Sequence, residues 1–168
     1  MRVTIAIPAY DEVTSLAAVV AEARAELAEI GLARDGEVLI VDDGSTDGTS
    51  ALADELASAS ENVRVVHHRP NRGFSGAMRT CFRESRGDWI FLAPADGQSS
   101  MSDLRRFLDA SSHADIVIGV RESRADHVGR RFLSRGFHLI AEFDVDSTGR
   151  VLSMDFTPTK DGERPCFE

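Results

Sequence analysis

Five short runs rich in valine, isoleucine and leucine constrain this chain most: "VTIAI" (3–7), "EVLIV" (37–41), "VRVVH" (63–67), "DWIFLA" (88–93) and "DIVIG" (115–119). Each is short, and too continuously apolar for a strand with one wet face, so each reads as a strand buried on both sides of a parallel sheet. Between the first two runs, Leu16, Val19, Val20, Ala23, Leu27 and Ile30 recur at helical spacing, and Gly31 is placed to close the helix. Further helices are expected at about 48–58, 74–85, 101–112 and 129–141. Strand and helix in alternation imply an α/β fold, a Rossmann-like and mostly parallel sheet with helices on both faces.

The rhythm breaks after residue 141. "AEFDVDSTGRVLSMDF" reads as a β-hairpin, with Phe143 and Val145 on one face, turn chemistry from Asp146 to Gly149, and Leu152, Met154 and Phe156 alternating. "TPTKDGERPCFE" reads as a loose tail. The expected organisation is one sheet domain over 1–140 and a divergent hairpin and tail over 141–168.

Ligands of such sheets bind beyond the carboxyl ends of the strands, where loops converge and helix N-termini point. The loops here are "PAYDE" (8–12), "DDGSTDGT" (42–49), "HRPNRGFSG" (68–76), "PADGQSS" (94–100) and "VRESRADHVGR" (120–130). Four carry acidic residues and the fifth is basic, a set suited to holding a metal beside an anion. Asp42 and Asp43 lead into a Ser/Thr-rich turn that serves as a helix start, yet adjacent aspartates repel, and a carboxylate at this edge can accept N–H groups of a nucleotide base. His67 and His68 read as a solvent-facing pair, since no third ligand has fitting spacing. Gly73, Gly76 and Asn71 read as a loop and helix start with a phosphate-cradling role open to Gly73, and Trp89 reads as core.

The net charge of −9 argues against general nucleic-acid binding. One basic stretch stands apart: Arg121, Arg124, Arg130, Arg131 and Arg135 against Glu122 and Asp126 give a local balance of +3. No apolar run approaches the roughly 18 residues of a membrane span, and the chain starts on a strand rather than a signal peptide, so a cytoplasmic location is expected. Cys81 and Cys166 have no metal-ligand spacing, so free thiols are expected.

"VTIAIPAYDE", "EVLIVDDGSTDGT" and "NRGFSGAMRTCFRESRGDWIFLAPADGQ", in that order, resemble glycosyltransferase family 2 proteins of GT-A fold, most of all the dolichol-phosphate or polyprenyl-phosphate mannosyl- and glucosyltransferases. The resemblance covers about residues 1–140. It implies that Pro8, Ala9, Tyr10 and Glu12 form the first nucleotide loop, and that Asp42 or Asp43 contacts the base. Asp96 matches the last aspartate of the family's DxD motif, a ligand of Mg²⁺ or Mn²⁺ at the diphosphate, with Ala95 before it and Gln98 in the glutamine position after it. Pro94 stands where the motif's first aspartate usually stands. "GVRES" and "GRRFLSRGF" resemble the segment that binds a polyprenyl phosphate, which makes Arg121, Arg130 and Ser134 the matching positions. The implied partners are a GDP- or UDP-hexose donor and a polyprenyl phosphate acceptor, with peripheral contact at the cytoplasmic face of a membrane. An apolar helix face left uncovered by the short carboxyl half would favour an oligomer. The alternative is a non-catalytic nucleotide-sugar-binding relic or partner subunit.

Overall fold

The apolar run at 3–9 forms β1 (Val3–Ala9), and all seven of its residues are buried. In the computed structural model, residues 1–97, 99–112 and 115–118 are described, together with the backbone of 138–145 and 151–159. Strand β2 (Gly36–Asp42) lies parallel to β1 from Val3↔Gly36 to Ala9↔Asp42. On the other side of β1, β4 (Trp89–Leu92) pairs in parallel from Val3↔Trp89 to Ala6↔Leu92. Strand β3 (Val63–His67) lies parallel outside β2, with Asp42 opposite His67 at its end. The sheet order is β3-β2-β1-β4.

Period-two alternation sorts the side chains into two layers. Val3, Ile5, Ile7 and Ala9 of β1 and Val38 and Ile40 of β2 pack with α1 (Leu16–Glu29), with Ala53 of α2 (Thr49–Ser58) and with Leu104 of α4 (Asp103–Ala110). Ala6, Leu39 and Val41 point the other way, onto Ala77 and Cys81 of α3 (Gly73–Glu84). The helices therefore cover both faces, as expected, and each fully buried Ile, Leu or Val contributes about 1.5–3 kcal/mol of burial. Burial also pushes the Cys81 thiol up to about 12, which makes it a packing residue rather than a nucleophile.

Two local devices fix the loops. Helix α1 ends in a Schellman turn: Leu32 N–H donates to Leu27 O (2.7 Å), Gly31 N–H donates to Ala28 O (3.1 Å), and Gly31 takes φ +77°. Pro8, which has no N–H to give, lies past the last paired rung between β1 and β4 at Ala6↔Leu92, and its carbonyl faces the β4 side. The loop after β4 is pinned from two directions. Ala95 N–H donates to Pro8 O (3.3 Å), Met101 N–H donates to Glu22 Oε1 (3.1 Å), and Arg105 of α4 pairs with Glu26 of α1 at 2.6 Å.

Three expectations change. The run 115–119 forms no fifth strand over its described residues 115–118, where Ile116 and Ile118 are 47% and 77% exposed. An apolar run becomes a strand only where a neighbour pairs with it, and no pairing reaches these residues. The helix expected over 129–141 does not occupy its last residues, because β5 (His138–Val145) begins there, and residues 129–137 lie outside the described set. The expected tail loses its first residues to β6 (Val151–Thr159), which pairs antiparallel with β5 from His138↔Thr159 to Asp144↔Ser153. The chain divides into two compact units, Met1–Ala114 and Asp115–Glu168. Among the described residues no helix is long and apolar enough to cross a membrane.

Candidate active site

All four strands of the first unit run the same way, so their carboxyl ends share one edge, and the loops leaving it are laced together. Asp11 takes φ +53°, a conformation that aspartate tolerates better than most residues because its side chain bonds locally. Its Oδ1 accepts Thr46 N–H (2.7 Å), and its own N–H donates to Ser45 Oγ (3.0 Å). Glu12 N–H donates to Thr49 Oγ1 (2.8 Å), and Val13 N–H donates to Asp47 Oδ2 (3.1 Å). Asp47, one residue before the Gly48 N-cap of α2, also accepts Thr49 N–H and hydroxyl at 2.9 and 2.6 Å, and these bonds hold its carboxyl below the usual range. The first and second loops thus form one body.

Asp42 and Asp43 are both buried, but they are used differently. Asp42 spends both oxygens inside the fold: Oδ1 accepts Ser45 N–H (3.1 Å), and Oδ2 meets the Ser50 hydroxyl (2.6 Å) and His67 Nδ1 (2.7 Å). Burial alone would raise its pKa; the hydrogen bonds from Ser45, Ser50 and His67 outweigh that and lower it. Partial burial opposes charge on His67, and Asp42 and Asp54 (3.1 Å from Nε2) outweigh it, so its pKa is raised. Asp43 accepts His68 Nδ1 (2.5 Å) and Arg72 N–H (2.8 Å) on Oδ1, and His68 Nε2 meets the Thr80 hydroxyl of α3 at 2.8 Å.

At the fourth strand end, Ala95 is buried, and Asp96 lies exposed next to Gly97, whose φ is +69°. Pro8 and Ala9 are the buried last residues of β1 rather than loop residues, while Tyr10 is 51% exposed at the same edge. Gly73 is the exposed first residue of α3, its N–H on Asn71 Oδ1 (2.8 Å). Hydrogen bonds therefore join the elements carrying Pro8, Ala9, Glu12, Asp42, Asp43, Gly73 and Ala95, with Asp96 next in the chain. Gln98, Arg121, Arg130 and Ser134 lie outside the described residues.

Residues 4–164 match the family model described as Glycosyl transferase family 2. The chain belongs to glycosyltransferase family 2. The family match runs past residue 140, where the similarity read from the sequence ended, to residue 164. An undecaprenyl-phosphate mannosyltransferase of Micrococcus luteus is 37% identical over 124 residues, 72% of this chain and 49% of that protein. An undecaprenyl-phosphate 4-deoxy-4-formamido-L-arabinose transferase of Pseudomonas fluorescens is 34% identical over 154 residues, 90% of this chain and 44% of that protein. The chain thus spans about half the length of the curated relatives it matches. Among solved structures, S. aureus TarS 1-349 in complex with UDP-GlcNAc superposes over 86% of this chain and 40% of its own, with TM-score 0.51 and 18% identity, a likeness of fold. The parallel sheet with helices on both faces is the GT-A-like fold of this family.

For a family 2 chain, His67 and His68 are the residues that sequence reasoning misplaced. Neither is a solvent-facing pair member: His68 is 2% exposed, and His67 is hydrogen-bonded on both ring nitrogens. The signal was present in the register, since Asp42 ends β2 and His67 ends β3, parallel pairing sets the two opposite each other, and Asp43 and His68 follow directly. Among the described residues no group of three or more His, Cys, Asp or Glu side chains could hold a metal ion. Asp96 is one exposed carboxylate beyond β4, an oxygen donor of the type that a hard cation such as Mg²⁺ takes together with waters.

Proposed function

We propose that this chain carries the donor site of a hexosyltransferase that moves a sugar from a GDP- or UDP-hexose to a polyprenyl phosphate, with Mg²⁺ or Mn²⁺ at the diphosphate. The observation that carries the reading is the meeting of the loops after β1, β2 and β4 at one sheet edge, in a chain whose relatives are named for sugar transfer to undecaprenyl phosphate. Tyr10 and Glu12 line the base and ribose, one of Asp42 and Asp43 accepts the base N–H, and Asp96 with Gln98 holds the metal. Arg121, Arg130 and Ser134 take the acceptor phosphate, for which guanidinium geometry is suited. An oxygen of that phosphate attacks the anomeric carbon as the bond to the diphosphate breaks, and the nucleoside diphosphate leaves. The attacking phosphate is already ionised near neutral pH, so no protein base is required. The metal, when bound, offsets the charge of the departing diphosphate.

Calorimetry with GDP and UDP, with and without Mn²⁺, tests the donor site. Nucleotide affinity is expected to rise on adding Mn²⁺, and Asp96→Asn is expected to erase that rise while leaving the metal-free affinity in place. Absence of binding for either nucleotide under both conditions overturns the reading. Pro94, at the motif's first aspartate position, favours one second reading, a donor-binding protein that does not transfer. Metal-dependent binding without sugar transfer to undecaprenyl phosphate selects it.

A further inference from the structure

We propose that His68 is a positioning residue for donor recognition: it clamps Asp43 by one carboxylate oxygen, so that Asp43 rather than Asp42 presents its other oxygen to an N–H donor of the nucleotide base. The inference rests on the donor-site reading above and resolves which aspartate that site uses. Among the described residues, both hydrogen bonds to Asp43 fall on Oδ1, from His68 Nδ1 and from the Arg72 N–H, whereas Asp42 engages Oδ1 with Ser45 and Oδ2 with Ser50 and His67. Asp42 is therefore committed to holding the β2 loop, α2 and β3 together. The Asp43 side chain keeps 4% exposure against 1% for Asp42, and its N–H is fixed on Ala9 O (2.9 Å), directly beside the first loop.

His68 is built to orient rather than to react. Its ring is 2% exposed, with Nδ1 on Asp43 and Nε2 on the Thr80 hydroxyl, so rotation of the ring would break both bonds at once. Nδ1 lies 2.5 Å from Asp43 Oδ1 and Nε2 lies 2.8 Å from the Thr80 hydroxyl, a group able to donate or to accept, so both ring nitrogens are engaged. Held by the His68 ring and the Arg72 N–H, the Asp43 carboxyl group keeps one orientation, which suits an acceptor that must discriminate base N–H groups.

Three variants of the full chain separate orientation from packing: His68→Leu removes both polar contacts, His68→Asn keeps a donor near the Nδ1 position, and His68→Gln moves it toward Thr80. Calorimetry with GDP and UDP in Mn²⁺ reads affinity, and thermal unfolding of the same samples reads stability. His68→Asn is expected to bind within about threefold of wild type, and His68→Leu and His68→Gln at least about tenfold more weakly, the scale of one lost hydrogen bond to a charged group. Affinity that follows thermal stability across the series, or His68→Asn as weak as His68→Leu, overturns the proposal. Should His68→Leu fail to fold, the Asn and Gln variants decide on their own. Wild-type protein that binds neither nucleotide sinks the donor-site reading together with this one, whereas wild-type binding left unchanged in His68→Leu sinks this one alone.

Discussion

The bond between Asp42 and His67 joins two groups whose titrations move apart, and its contribution to stability is therefore confined to a pH window. The His67 pKa is raised above the ordinary 6.5, so what it contributes is fully present below about pH 6.5 and is lost as pH rises through the higher folded value. The Asp42 pKa is lowered below 3.8, so its contribution is present above about pH 4 and is lost as pH falls through the lower folded value. The pair is most stabilising between these limits. Urea unfolding of wild type and His67→Gln at about pH 5.5 and about pH 8.5 is expected to show the larger stability difference at the lower pH. An equal difference at both would place the stabilisation in packing rather than charge. Asp54 shares in raising the His67 pKa, and at 65% exposure its part is the one most screened by solvent. At this scale the sequence displayed the residues and concealed their pairing: "DD" and "HH" are obvious, but the 25-residue separation joins them only once β2 and β3 are in register.

At the scale of elements, the glycines at the site edge divide by the space around them rather than by backbone angle. Gly44 and Gly73 have φ +74° and +73°, so alanine is strained equally at both, by about 1–3 kcal/mol. A Cβ at Gly44 would meet Asn71 N at 2.9 Å, whereas a Cβ at Gly73 would meet nothing within 4 Å. Gly44→Ala is expected to lower the denaturation midpoint more than Gly73→Ala, because the loops after β2 and β3 must separate to admit it. Equal losses would mean that the loop contact yields freely. The four strands and four helices of the first unit were readable from the sequence because their apolar periods persist through whole elements, from β1 to the 3.6-residue stripe of α1. Two runs misled for a physical reason. "DIVIG" has strand composition without a paired neighbour over its described residues, and residues 138–141 fit a helical extension until the alternation of Leu139, Ala141, Phe143 and Val145 is set beside β6. Pairing is a property of two segments, and a period read from one cannot supply it.

For the whole molecule, the net charge of −9 opposes the approach of an anionic donor, so favourable binding needs cationic compensation at the edge where the acidic loops meet. A ligand that binds only the folded state stabilises it by mass action, about 2.7 kcal/mol at a hundred times its dissociation constant, which for a domain of this size is a rise in Tm of about 5–10 °C. The chain divides into two compact units, and a single Tm need not describe both. Trp89, the only tryptophan, lies in β4 of the first unit, so its fluorescence reports the unfolding of that unit alone, while far-UV circular dichroism reports both. With saturating nucleotide and Mn²⁺, the Trp89 transition is expected to move upward, and any dichroism component that does not coincide with it is expected to stay in place. Asp96→Asn should reduce the shift to that given by nucleotide alone. A Trp89 transition indifferent to nucleotide would remove donor binding from the first unit, because the loops after β1, β2 and β4 all spring from strands of that unit and binding there stabilises the sheet they extend.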